Sequence, residues 1–162
     1  MLTEFANLSP EETAKMLDAI PYITILIGAA DDNLDEVELQ AAQRLADIRS
    51  FTNTGKLTAY YETIDGNLSN RIGELYGALP KNAEERQAVI VEKLTGLNDI
   101  LSKLDSPFDY YYYHSFRTFA THVAKAHGGF LRFITIGPQE AKVVDLPMLN
   151  EIAEPEVDDN IL

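Results

Sequence analysis

The spacing of apolar residues between positions 57 and 79 constrains the fold of this chain more than any other feature. Apolar and aromatic residues recur there at intervals of three and four: Leu57, Tyr60, Tyr61, Ile64, Leu68, Ile72, Leu75, Tyr76 and Leu79. That period places them on one face of an α-helix. It continues across Asp65-Gly66-Asn67, and a glycine inside a helix costs only about 1 kcal/mol. We therefore predict one long helix over 57–79, ended by Pro80.

The N-terminal part of the chain carries a strong helix start. Ser9 and Glu12 have the spacing of a capping box, and the proline between them suits the first helical position. We expect a helix from there to about Asp31, kinked or divided at Pro21 because proline removes a backbone donor. Residues 22–30 are apolar on nearly every face. This segment is predicted to be the buried central element.

Similar signals predict helices in the rest of the chain. Capping boxes are expected at Asp35 with Glu38 and at Asn82 with Glu85. The second of these precedes an apolar seam made of Ile90, Leu94, Leu97, Leu101 and Leu104. Further helices are predicted from Tyr110 to about His127, and from Pro138 to beyond Pro147 with a kink at that proline. The short apolar run 130–136 is interpreted as an ordered loop.

These elements predict an all-α protein, a compact helical bundle of about six to seven helices. A length of 162 residues suits one domain, and no linker divides it. We assign residues 1–153 to a single helical domain and 154–162 to an acidic C-terminal tail. A weak echo between residues 34–38 and 136–140 raises the hypothesis of two pseudo-repeated helix-hairpin units.

Charge and composition exclude several classes of function. The chain has 26 acidic against 13 basic residues, a net charge of -13, which argues against binding to nucleic acid or anionic membranes. It has no cysteine, so disulfides, thiolate chemistry and cysteine-ligated zinc are excluded. We find no signal peptide and no apolar run long enough to cross a bilayer. We expect a cytoplasmic protein without membrane insertion.

The acidic stretch GAADDNLDEVEL at 28–39 is the one candidate metal site. An EF-hand counted from Asp31 fails, because its sixth residue is glutamate instead of glycine and its twelfth is alanine. A shorter loop could bring together Asp31 and Glu38, with Asp32 or Asp35 as a third ligand for Ca²⁺ or Mg²⁺. On the residues alone, the favoured interpretation is different: acids are common in the first turn of a helix because they complement its dipole.

No other pattern indicates catalysis. The sequence lacks a nucleophile elbow, a glycine-rich phosphate loop and the zinc-binding histidine pair, so no catalytic residue is assigned. We expect the histidines to be structural or solvated and not metal ligands, with His122 in the core. The aromatic run 110–113 could anchor a protein partner, although core packing with hydroxyls reaching water is the simpler interpretation. Oligomeric state is not predicted.

Two stretches resemble the tellurite-resistance TerB-like family. The first is AADDNLDEVE at 29–38, and the second is VAKAHGGFLRF at 123–133, followed by Glu140 and by DLP at 145–147. The similarity covers about Leu17 to Ile152. The family usually has glycine where this chain has Asp32, and the second unit lacks an acid over 133–137.

The resemblance implies a bundle of two related helix-hairpin units and a role in metal-stress response. It implies divalent-cation binding at Asp31 and Glu38, and more weakly at Glu140. The resulting hypothesis is a non-enzymatic TerB-like protein that binds a divalent cation weakly and works through an unidentified protein partner. The alternatives are a pure interaction scaffold without a metal site and, less favoured, a metal-dependent hydrolase.

Overall fold

The structure, a computed structural model of the chain, describes residues 2–28, 44, 56–125 and 143–156. Its helices are α1 (Pro10–Leu17), α2 (Ala19–Gly28), α3 (Thr58–Asp65), α4 (Leu68–Ala78), α5 (Ala83–Thr95), α6 (Leu97–Leu101) and α7 (Phe108–Lys125), with 3₁₀ turns at Thr3–Phe5 and Val143–Asp145. Arg44 is also helical. No strand occurs within these ranges, so the predicted all-α class is confirmed for the described residues.

Helix α2 is the centre of the core. Every residue of α2 except Tyr22 is buried, and the helix packs against α7, α4, α5 and α1. Its one buried hydroxyl is satisfied, because Thr24 Oγ1 donates to the carbonyl of Ile20 at 2.8 Å. The predicted buried central element is therefore confirmed as far as Gly28.

The division of the N-terminal helix at the proline is also confirmed. Asp18 is the single residue between α1 and α2, and Pro21 lies in the first turn of α2. Backbone N–H groups of a first turn have no acceptor within their own helix, so proline is tolerated there. The proline thus sets the position of the break, which falls three residues before it.

The predicted capping box forms in full at α1, and at α5 the predicted cap residue Asn82 accepts the first of its two bonds. At α1 the backbone N–H of Glu12 donates to Ser9 Oγ at 3.1 Å, and the N–H of Ser9 donates to Glu12 Oε2 at 2.9 Å. At α5 the N–H of Glu85 donates to Asn82 Oδ1 at 3.0 Å. The box at Asp35 and Glu38 lies outside the described residues.

The prediction of one long helix over 57–79 is wrong. Helix α3 ends at Asp65 and α4 begins at Leu68, and Asn67 between them leaves helical geometry with φ −134° and ψ 11°. The apolar period survives because Ile64 and Leu68 are both buried on the same face. Glycine and asparagine both have low helix propensity. The combined cost of placing both in a helix breaks it here, although the apolar period continues unchanged through the break.

The prediction of a helix continuing beyond Pro147 is also wrong. A 3₁₀ turn ends at Asp145, Leu146 adopts φ 49°, and residues 147–156 are not helical. The residue before a proline is sterically disfavoured in the helical region, which explains why the helix cannot pass this point. Asn98 holds the non-helical segment to α6: its Nδ2 donates to the Met148 carbonyl at 2.9 Å, and its Oδ1 accepts from the Asn150 N–H at 2.8 Å.

A cluster of aromatic rings ties the N-terminal turn to α3 and α7. Phe5 lies 5.3 Å from Tyr112 and 6.4 Å from Tyr60, measured between ring centroids, and all three side chains are buried. The Tyr60 hydroxyl donates to the Met16 carbonyl at 2.7 Å, and the Tyr112 hydroxyl donates to Glu4 Oε1 at 2.6 Å. Both buried hydroxyls therefore have acceptors.

None of the helices in the described ranges combines the length and the apolar character needed to cross a lipid bilayer.

The buried tyrosines predict loss of stability in alkali. Burial raises the pKa of Tyr60 well above its usual 10.0, and burial followed by the hydrogen bond to Glu4 raises the pKa of Tyr112. Each of these pKa values is higher in the folded than in the unfolded chain. The neutral phenols therefore contribute their full stabilisation below about pH 10, and this contribution is lost as the pH rises towards the folded pKa. Urea denaturation between about pH 8 and 11 should therefore show a falling free energy of unfolding.

The variant Tyr112→Phe provides the control. It removes one of the two phenols whose ionisation is coupled to unfolding. The free energy of unfolding should then fall less steeply above about pH 10, by up to about 1.4 kcal/mol per pH unit. Tyrosinate absorbance measured in parallel should rise together with unfolding for these side chains. Full ionisation of all tyrosines near their ordinary pKa in a still-folded protein would contradict the packing described above.

Candidate functional site

The predicted metal ligands all lie outside the described residues: Asp31, Asp32, Asp35, Glu38 and Glu140. The divalent-cation site therefore stays a prediction. Among the residues that the structure does describe, no group of three or more histidines, aspartates or glutamates is close enough together to hold a metal ion.

The described part of the chain contains a different polar centre, the ion pair of Asp18 and Arg71. Arg71 Nε donates to Asp18 Oδ1 at 2.7 Å and Nη2 donates to Oδ2 at 2.8 Å, a two-bond contact between planar groups. Arg71 Nη1 also donates to Glu74 Oε2 at 3.0 Å. The hydrogen bonds to Asp18, and then to Glu74, raise the pKa of Arg71 above its already high usual value. The guanidinium is therefore permanently charged.

The pair joins two helix junctions. Asp18 separates α1 from α2, and Arg71 lies in the first turn of α4, immediately after the break at residues 66–67. A break in one helix thus faces a break in another, and the ion pair spans them. Sequence reasoning missed this site because it treated 65–67 as helix interior; the Gly66-Asn67 pair was the signal that could have revealed it.

A cavity of about 280 Å³ opens at this meeting point, and we call it the junction groove. Its apolar lining consists of Ala14, Leu17, Pro21, Ile64 and Leu68. Its polar lining consists of Asp18, Thr63, Asn67 and Arg71. An apolar surface with a few convergent polar groups is typical of small-molecule sites.

A second cavity, of about 440 Å³, lies on the other side of Asp18, between the α1–α2 junction and helix α5. Its charged lining is Lys15, Asp18, Glu92 and Lys93, so the two signs balance. Tyr22 also lines it, and burial followed by the charge of Asp18 raises the pKa of that phenol. The Asp18 carboxylate therefore contributes to both cavities.

The aromatic run on α7 divides between core and surface, as expected for consecutive helical residues. Tyr112 and Tyr113 are buried, whereas Tyr110 and Tyr111 are partly exposed. Tyr110 stacks on His114 with ring centroids 5.5 Å apart, and Lys56 Nζ lies 4.5 Å from the Tyr111 ring centroid. A partly exposed aromatic surface therefore exists on this helix.

The prediction for His122 is wrong. Its side chain is exposed, as is that of His114. The apolar stripe of α7 runs through Phe116, Phe119, Ala120 and Val123, all buried, and His122 falls just outside that stripe. Successive residues of an α-helix are rotated by about 100° around its axis, so the residue next to a buried valine can be exposed. His127 lies outside the described residues.

Comparison with protein-family models, with curated proteins and with solved structures finds no match to this chain.

The Asp18–Arg71 pair should stabilise the fold more than an ordinary surface pair. A double-mutant cycle of Asp18→Ala and Arg71→Ala in urea unfolding should give a coupling of about 1 kcal/mol, because the geometry is bidentate while Arg71 remains partly screened by solvent. The side chains are 18% and 40% exposed, respectively. The coupling should shrink when salt is raised to about 1 M, where the Debye length is about 3 Å.

The pair of Glu11 and Lys15 is the matched control for this cycle. Its side chains are 79% and 53% exposed and it lies along α1 alone. Its coupling should not exceed about 0.5 kcal/mol. Equal couplings for the two pairs would show that the junction contact contributes nothing beyond a surface interaction.

Proposed function

We propose that the chain is a non-enzymatic, TerB-like helical protein of the cytoplasm that binds a divalent cation weakly and acts through a protein partner in a metal-stress response of the tellurite-resistance type. The cation, Ca²⁺ or Mg²⁺, would be held by acids from the sequence 31–38, with Glu140 as a weaker contributor. In this proposal the complete fold has about six to seven helices arranged as two pseudo-repeated hairpin units. Residues 1–153 form its single domain and 154–162 its tail.

The observation that carries the proposal is the direction in which the chain enters the acidic segment. Helix α2 runs towards Gly28, and Asp31 and Asp32 follow it by three and four residues in sequence. The chain thus runs towards these acids in the direction of the carbonyl end of the helix, which carries a partial negative charge. Carboxylates near the carbonyl end of a helix are repelled by it, in contrast to carboxylates in a first turn, and in this proposal a bound cation relieves that repulsion.

The overall charge supports the same proposal. With a net charge of -13, the chain attracts cations and repels polyanions at low ionic strength. Hard oxygen ligands are those that Ca²⁺ and Mg²⁺ prefer, and weak sites with dissociation constants of roughly 10⁻⁴–10⁻³ M are known for proteins.

A second candidate function is a pure interaction scaffold. The partly exposed rings of Tyr110 and Tyr111 on α7 favour it, because aromatic side chains are common anchors at protein interfaces. In that case the acids at 31–38 serve only as helix caps. A metal-dependent hydrolase is the least supported alternative, since it requires a third ligand and an open pocket at the same acids.

The cation proposal is tested by titrating the ¹⁵N-labelled chain with CaCl₂ and MgCl₂ at constant ionic strength. Saturable NMR shifts should appear at residues 29–40, with a dissociation constant of roughly 10⁻⁴–10⁻³ M. Asp31→Asn should weaken binding by about tenfold, because each carboxylate is a large part of so small a ligand set. Asp105→Asn, which removes the same charge from an exposed position between α6 and α7, is the matched control.

The outcomes separate the two candidate functions. Shifts that are small, linear and spread over the chain in the wild type would show only ionic-strength effects and would favour the scaffold. Equal effects of Asp31→Asn and Asp105→Asn would mean that net charge, and not a defined site, attracts the cation.

A further inference from the structure

We propose that the surface of α6 and α7 in contact with residues 143–156 is a docking site for a peptide of a protein partner, one that carries a leucine at each end of a proline turn. The chain's own residues 143–156, which we call the strap, fill this surface and show which chemistry it accepts. The inference goes beyond the proposed function, because it uses neither the acids at 31–38 nor the family resemblance.

The strap is anchored by a turn with a leucine at each end. The N–H of Leu149 donates to the carbonyl of Leu146 at 3.0 Å, which closes a four-residue turn with Pro147 at its second position. Proline is favoured at that position because its fixed φ suits the turn. Leu146 and Leu149 are 1% and 5% exposed, whereas Pro147 is exposed and Met148 half-buried. The two leucines are therefore the apolar anchors.

The polar contacts run from side chains of the bundle to the main chain of the strap. Asn98 on α6 makes two of them, to the Met148 carbonyl and to the Asn150 N–H. Arg117 on α7 makes the third, from Nε to the Asp145 carbonyl at 2.9 Å. Main-chain groups are common to all peptides, so these contacts orient a ligand while the leucine pockets select its sequence.

The bundle positions these polar side chains without help from the strap. Arg117 Nη1 donates to the Tyr113 hydroxyl at 3.2 Å, and Arg117 Cζ lies 5.4 Å from the centroid of the same ring. Asn98 lies on α6, where Leu97 and Ile100 are buried in the core. A site whose polar groups are already in place loses less conformational entropy when a peptide binds.

The strap has two features that favour its displacement. Leu146 adopts φ 49°, a left-handed conformation that is disfavoured for residues with a side chain. Between residues 143–156 and the helices that the structure describes, no backbone–backbone hydrogen bond forms. Both features lower the free energy needed to release the strap, so a partner peptide with the same anchors competes for its place.

The experiment is an NMR titration of the ¹⁵N-labelled, full 162-residue chain with an unlabelled peptide of the strap sequence, VVDLPMLNEIAEPE, acetylated and amidated at its ends. The expected result is saturable shifts at the amides of α6, at those of α7 around Arg117, and at the strap, which leaves its site. The same peptide with Leu146→Ala and Leu149→Ala keeps the charge and should bind at least about tenfold more weakly, because both anchors are lost.

Two variants at one exposed position of the strap provide the matched test of displacement. Asn150→Pro removes the N–H that donates to Asn98 Oδ1, so it weakens the strap and leaves the α6–α7 surface intact. Because the apparent affinity depends on the fraction of open sites, the peptide should then bind about fivefold more tightly. Asn150→Ala keeps the N–H and should leave the affinity unchanged.

Three results would overturn the proposal. Absence of saturable shifts in both the wild type and Asn150→Pro would make the strap a permanent part of the fold. Equal affinity for the peptide without leucines would show that the anchors are not recognised. A dimer of Asn150→Pro in sedimentation would identify the strap of a second copy, and not a partner, as the occupant. Failure of the divalent-cation titration leaves these readouts intact, so the two proposals fail separately.

Discussion

Burial of α2 is the constraint on which the rest of the structure depends. A helix that is apolar on nearly every face has no side that water can solvate, so other elements must surround it. Helices α7, α4, α5 and α1 surround α2, and Tyr22 is the one residue of α2 that is not buried. The composition of ten residues, Ala19–Gly28, thereby determines where most of the remaining helices pack.

The junctions between helices follow from this arrangement. Pro21 divides the first helix, and the residue at the break, Asp18, is held by Arg71 from a second break on the opposite side. Helix interiors present closed, hydrogen-bonded backbone, whereas junctions leave room between side chains. Both cavities described here lie at junctions, and Asp18 lines both. The helix break that accommodates Pro21 therefore also places the Asp18 carboxylate beside the apolar side chains of the junction groove.

The apolar composition of residues 22–30 predicted the central position of α2, and apolar periodicity predicted the helical class and the buried face of residues 57–79. It could not predict the break at Asn67, because a two-residue interruption preserved the phase of Ile64 and Leu68. It also placed a helix across Pro147, where the steric restriction on Leu146 prevails. The junction groove was beyond sequence reasoning because its two halves are about 50 residues apart, a separation seen in the Arg71–Asp18 bond, which spans 53 positions. The acids at 31–38 were identified from their spacing in the sequence and from the family resemblance, and the structure describes none of them.

Native-state hydrogen exchange followed by NMR tests the central role of α2 most directly. If the bundle is organised around this helix, the amides of Ile23–Ile27 should exchange only through global unfolding, with a free energy equal to that from urea denaturation. Amides of residues 143–156, most of which are exposed or half-buried, should exchange at lower free energies. Exchange of the α2 amides at a free energy well below that of global unfolding, while α7 stays protected, would contradict this account.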